Sequence, residues 1–135
     1  MFKDAAETFV LDDVLLEAAA VAEGGFDGIE LQCSHSSIVR GFLSPATNHR
    51  EDEYGGSLQN RMRIVMRIID AAREEVGPDA IVGLRLNSDD GMQGGLGPVE
   101  WAEIAKHLAG GSRVMSAGLN VPNVATFQPM LLSRK

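Results

Sequence analysis

A chain of 135 residues with 44% apolar and 23% charged residues has the balance of one ordinary globular domain with a real core, and its net charge of −7 argues against nucleic acid as a partner. No apolar run approaches the ~18–20 residues of a membrane span, and the N-terminal MFKDAAETF lacks a signal-peptide layout, so the cytoplasm is the expected location. The single cysteine, Cys33, excludes an internal disulfide framework and any cysteine-rich metal or iron–sulfur site within these residues.

Taken in order, Asp12 or Asp13 is placed to cap a helix. Its Val14, Leu15, Ala18, Ala19 and Ala22 keep three-and-four spacing, and Gly24-Gly25 stops it. Phe26–Gln32 follows as a short strand bounded by glycines, of the kind found in a helix-covered parallel sheet. Residues 33–56 form a loop of unusual length, and Ile38, Val39, Phe42, Leu43 and Tyr54 give it apolar anchors that favour order.

Ser57 caps a second helix, in which Leu58, Met62, Val65, Met66, Ile69, Ala72 and Val76 form one core-facing stripe that ends at Gly77-Pro78. The methionines on it are gap-fillers. The arginines between Arg61 and Arg73 are surrounded by acids and read as a solvated helix face. Asp79–Asn87 is a second strand, broken only by Gly83 and Arg85. Pro98 then opens a third helix, with Trp101, Ile104, Ala105 and Leu108 on one face and Gly110-Gly111 at its end. Arg113–Leu119 carries a weaker strand pattern. Residues 1–120 are thus expected to form the folded segment and residues 121–135 a loose tail.

Strands alternating with helices of this length define an α/β fold with a parallel sheet and right-handed crossovers. A doubly wound sheet and a piece of a (β/α)₈ barrel both fit the pattern. In either, ligands gather at the carboxyl ends of the strands, which places Gln32, His35 and Arg85 to Asp90 on the working face. Arg85 interrupts an apolar strand and needs an anion or a strong acceptor. It reads either as a donor to an electron-rich cofactor or oxyanion, or as one half of a salt bridge to Glu30 on the neighbouring strand.

His35 has the chemistry of a hydrogen-bond donor or acid/base near neutral pH, set against a purely structural loop histidine, and Gln32 beside it would make a second donor. Cys33 lacks an adjoining basic partner and reads as a buried small residue. The patch His49, Arg50, Glu51, Asp52 and Glu53 matches no metal-ligand spacing, so no metal is expected. Gly91, Gly94, Gly95 and Gly97 miss the dinucleotide fingerprint.

Three segments together resemble the old yellow enzyme family of NADH:flavin oxidoreductases. They are Gly25-Phe26-Asp27-Gly28-Ile29-Glu30-Leu31 with His35, Phe42-Leu43-Ser44-Pro45 with Thr47-Asn48-His49-Arg50, and Asp52-Glu53-Tyr54-Gly55-Gly56-Ser57-Leu58 with Asn60-Arg61. The likeness is nearest to its branch of dienoyl-CoA reductases and trimethylamine or histamine dehydrogenases. It continues through Val76-Gly77-Pro78-Asp79 and Gly83-Leu84-Arg85-Leu86, and covers about Ala18 to Leu108.

The resemblance implies an FMN-binding (β/α)₈ TIM barrel, of which this chain is a partial segment holding roughly strands four to six with their helices. It implies FMN as cofactor, NAD(P)H as an electron donor, and a small-molecule substrate. Arg85 matches the family's strand-five arginine at the flavin's N1/O2 edge. His35 matches the second member of the substrate-holding pair after strand four, and Gln32 replaces the first; an amide there still donates a hydrogen bond but does not titrate. A complete barrel takes ~250 residues, and the family's strands one to three and phosphate-binding strands seven and eight have no counterpart here. The implied function is an FMN-dependent oxidoreductase of ene-reductase or amine dehydrogenase type. The alternative is a non-catalytic remnant or a split-barrel subunit that self-associates or needs a complementing chain, since free strand edges invite pairing.

Overall fold

In the computed structural model, which describes residues 2–34 and 37–109, two five-residue strands run parallel and in register. They are β1 (Gly28–Gln32) and β2 (Ile81–Arg85), paired from Gly28 opposite Ile81 to Gln32 opposite Arg85. Parallel strands cannot be joined by a tight turn. The connection here holds a short helix α2 (Ile38–Leu43), a long loop and the helix α3 (Leu58–Val76). Helix α1 (Phe2–Glu23) precedes β1, and α4 (Pro98–Ala109) follows β2. The expected strand at Arg113–Leu119 and the expected tail lie outside the described residues, as does His35. No helix among the described residues is long and apolar enough to cross a membrane.

Successive side chains of a strand point to opposite faces, and here the two faces differ in kind. Leu31 of the first strand, Val82 and Leu84 of the second, and Cys33 and Leu86 just past their ends are buried. They join one cluster with Met62, Ile64, Val65, Ile68 and Ile69 of α3 and Trp101, Ile104 and Leu108 of α4. The other face carries Glu30, Gln32 and Arg85, all exposed. The sheet is therefore covered by helices on one side only among the described residues, as in a barrel segment rather than a doubly wound sheet.

Ser57 caps α3, its Oγ accepting from Asn60 N–H, and the apolar stripe of that helix is buried or half-buried along its length. At the start of α4, Glu100 reaches back to the Gly97 N–H, one half of a capping box, with Pro98 in the first turn. Helix α1 departs from expectation. It begins at Phe2, because Lys3, Ala5, Ala6 and Glu7 are good helix formers that extend it upstream of Asp12 and Asp13, and both acids lie exposed within it. Its contact face is Leu11, Val14 and Ala18, whereas Ala22 is exposed.

The long segment between β1 and α3 is ordered by polar staples rather than by apolar anchors alone, and it contains a helix that the sequence reading treated as loop. Ser37 caps α2, accepting from Arg40 N–H at 3.1 Å. Buried Asn48 donates from Nδ2 to Phe42 O at 2.6 Å and Tyr54 O at 2.7 Å, while its Oδ1 accepts from Arg50 N–H. Arg50 pairs with Asp52 at 2.7 Å and lies over the rings of Phe42 and Tyr54. Gly55 passes so close to Arg50 that a Cβ there would sit 1.9 Å from its carbonyl oxygen.

The arginines of α3 do more than face solvent. Arg61 donates to Leu43 O at 2.8 Å and to Gly56 O, Arg63 donates to Glu53 O at 2.8 Å, and Arg67 reaches the Tyr54 hydroxyl at 2.6 Å. Arg73 donates to Gly77 O and Ala80 O. Arg63 and Arg67 are exposed and Arg61 and Arg73 half-buried, so the face is partly solvated as expected. Arg61, Arg63 and Arg73 also satisfy carbonyls of the flanking segments, which is how an irregular segment can be packed against a helix.

Asn48 is the hub of that arrangement. Replacing Asn48 by Ala leaves two carbonyls and one amide without partners, which should cost about 2–3 kcal/mol. In urea unfolding the midpoint should fall with little change in slope; an unchanged midpoint would show that the loop is held by other contacts.

Candidate active site at the strand ends

The register places Gln32 and Arg85 opposite one another at the carboxyl ends of the strands, and both face the open side of the sheet. The ladder runs one step further, since Cys33 N–H donates to Arg85 O at 2.9 Å. Ser34 Oγ donates to Gln32 Oε1 at 3.1 Å, so the amide's oxygen is engaged and its Nε2 donor has no partner among the described residues.

Arg85 meets Glu30: its Nε and Nη2 both lie 2.9 Å from Glu30 Oε1, with the arginine side chain 50% and the glutamate side chain 40% exposed. Nη1 has no partner among the described residues. The salt bridge foreseen as one of the two readings of Arg85 is thus present, and it leaves one amino group of the guanidinium available to an acceptor on the open face.

Behind these residues the segments following β1 and β2 are clasped together by Asp90. Its side chain is shielded from solvent, and it accepts from Leu96 N–H at 2.9 Å and from Asn87 Nδ2 at 3.2 Å. Arg40 of α2 approaches it at 3.4 Å and places Nη2 at 3.1 Å from Met92 Sδ. Burial opposes the charge of Asp90. The Leu96 amide, Ser44, Asn87 and the Arg40 guanidinium outweigh that burial and hold its carboxyl below the usual carboxylate range. Arg40 and Asp90 are 50 residues apart in the chain, and a pair so distant leaves no spacing for a sequence reading to find.

Cys33 is 1% exposed, and burial pushes its thiol up to about 12, so it stays protonated at neutral pH and serves as a small core residue. Of the sequence-predicted site residues, the structure brings Gln32 and Arg85 together on one face, and His35 lies outside the described residues. In the charged patch that follows α2, Arg50 and Asp52 pair with each other, and His49 bonds to Ala46 O.

The model of the NADH:flavin oxidoreductase / NADH oxidase family matches residues 13–127. The chain belongs to that family. It is 44% identical over 98 residues to N,N-dimethylglycine/sarcosine dehydrogenase of Chromohalobacter salexigens, covering 73% of this chain and 14% of that protein. It is 40% identical over 111 residues to the NADH oxidase of Thermoanaerobacter brockii, covering 82% of this chain and 16% of that one.

Among solved structures, a 2-naphthoyl-CoA reductase in complex with 2-naphthoyl-CoA superposes with a TM-score of 0.77 at 32% identity, over 84% of this chain and 18% of that one. The chain therefore spans about a sixth of the length of these relatives. Proteins of this flavin oxidoreductase family use FMN with NAD(P)H, and the structural neighbours are TIM barrels, of which the α/β segment described above resembles a part.

The Asp90 clasp yields a pH-dependent expectation. A carboxyl with a lowered folded pKa stabilises the fold above its unfolded value of ~3.9, and that contribution is lost as pH falls through the folded pKa. Asp90→Asn should therefore cost about 1–3 kcal/mol at pH 7, with the gap to the parent narrowing below about pH 4. Thermal melts of the two proteins across that range check it. A gap that stays constant or widens on acidification would place the effect elsewhere.

Proposed function

We propose that this chain is the strand-four-to-six segment of an FMN-dependent oxidoreductase barrel. In this reading Arg85 is the cationic donor to the flavin's polar edge. Gln32 and His35 are the pair that holds an electron-withdrawing oxygen of a small-molecule substrate. One observation carries the reading: Gln32 and Arg85 are paired in register on the uncovered sheet face, each with an N–H donor that has no partner among the described residues.

The residues fit the group. A half-exposed guanidinium at a strand end, with one amino group free, suits an acceptor edge that gains negative charge, because a fixed cation favours charge that develops during reaction. When bound, FMN would supply hydride transfer between a nicotinamide or amine donor and an acceptor. Gln32 would orient and polarise the acceptor oxygen by donating from Nε2. It cannot take up or release a proton, so proton transfer falls to another group. The substrate class is an electron-poor carbonyl compound for an ene-reductase or a secondary or tertiary amine for a dehydrogenase, and the likeness to a dimethylglycine/sarcosine dehydrogenase supports the second.

A second reading, a segment that works with a complementing chain, is favoured by the edge of β1. That strand pairs only with β2 among the described residues. Beside it lies a cleft of about 310 Å³ lined by apolar Leu31, Val39 and Ile68, with Asp13 and Glu17 also in its wall. An added strand would find both backbone partners and an apolar seat there.

Titration of the folded chain with FMN, followed by flavin fluorescence, tests the first reading. We expect saturable uptake that weakens about tenfold in Arg85→Gln, equivalent to the ~1.4 kcal/mol of one charge-assisted contact. Equal affinity in the two proteins would remove Arg85 from the cofactor site. Sedimentation separates the second reading: a clean monomer that takes up FMN contradicts it.

A further inference from the structure

We infer that Glu30 is a positioning residue for Arg85. Its carboxylate fixes the guanidinium on the open sheet face and offsets part of its charge, and so sets how strongly the site favours a reduced, anionic flavin over the oxidised one. The inference rests on the reading of Arg85 as the flavin's cationic donor and adds the group that governs it.

The geometry is built into the register. Glu30 stands opposite Gly83, and Gln32 stands opposite Arg85. Arg85 and Glu30 are therefore diagonal neighbours, on the face that Gly83 shares with them. Glycine at 83 puts no side chain on the diagonal, and the arginine reaches back past it to place Nε and Nη2 both at 2.9 Å from one carboxylate oxygen. With two of its three nitrogens committed to Glu30, the guanidinium plane is fixed and Nη1 is the edge left for a ligand.

Exposed ion pairs of this kind contribute little to stability. Their consequence here is electrostatic. A carboxylate beside the guanidinium lowers the net positive potential that an incoming anion would meet, and the anion in question is the one formed on reduction. Glu30 thereby trades charge for orientation. Glu30→Gln separates the two, because it retains an acceptor oxygen while removing the charge. Glu30→Ala removes both.

Two measurements decide it. The first needs no flavin: the Arg85 Nε–Hε resonance of the nitrogen-15-labelled chain should be slow to exchange in the parent and in Glu30→Gln, and lost in Glu30→Ala. The second is the midpoint potential of FMN bound to the parent and to Glu30→Gln. The variant should bind reduced over oxidised flavin about fivefold more strongly than the parent does, a rise of roughly 20 mV for a two-electron couple.

An Arg85 resonance that is the same in the parent and in Glu30→Ala overturns the inference, as does a potential that is unchanged or lower in Glu30→Gln. If the folded parent takes up no FMN while the resonance depends on Glu30, the reading of Arg85 as a flavin donor fails and the tuning role is overturned with it. Because the resonance is read without flavin, a failure of the ion pair is distinguishable from a failure of the cofactor reading.

Discussion

The in-register pairing of β1 with β2 is the constraint on which everything else depends. Strand side chains alternate between faces, so the register decides at once what is buried and what is offered to a ligand. As paired, Leu31, Val82 and Leu84 join the core while Glu30, Gln32 and Arg85 stay in solvent. A shift that turned either strand over would bury Glu30 and Gln32, or Arg85, against α3, at a cost no apolar gain could offset. The hydrophobic cluster that includes α3 and α4 therefore holds the register, and the register in turn holds the polar constellation at the strand ends.

The constellation also needs a firm surround, because a donor is useful only where its backbone is fixed. Asn48, Arg61 and Arg63 tie the irregular stretch between α2 and α3 to its own carbonyls, and Asp90 ties the segment after β2 to Arg40 in α2. These staples are shielded to different degrees: Arg63 is exposed, whereas the Asp90 side chain is shielded from solvent. Stability and site geometry share residues here, since the same clasp that closes the two segments keeps them beside Gln32 and Arg85.

Much of this was legible in the sequence, and the rest was hidden for identifiable reasons. The stripe of α3, its Ser57 cap and the Trp101–Ile104–Leu108 face of α4 follow from spacing alone, because helix period and burial coincide there. The two-faced character of β1 was present in the alternation of Ile29 and Leu31 with Glu30 and Gln32. Helix α2 escaped because six residues interrupted by Gly41 carry too little periodicity, though Ser37 stood at its cap. The loop-binding role of the α3 arginines was hidden because Arg61, Arg63 and Arg73 donate to backbone carbonyls, which every residue has and no side-chain pattern marks. Arg85 was the converse case: charge inside an apolar strand demanded a partner, and Glu30 on the neighbouring strand was within the set the sequence allowed.

The uncovered face at the carboxyl ends of β1 and β2 is the proposed ligand face. Mapping backbone amide shifts of the nitrogen-15-labelled chain during addition of FMN tests it most directly. Perturbations should concentrate at Gln32, Cys33, Arg85 and Leu86, with Ile64, Ile68 and Ile104 in the core cluster unmoved. Shifts confined to the helices, or a folded chain whose strand-end amides do not respond at saturating FMN, would contradict it.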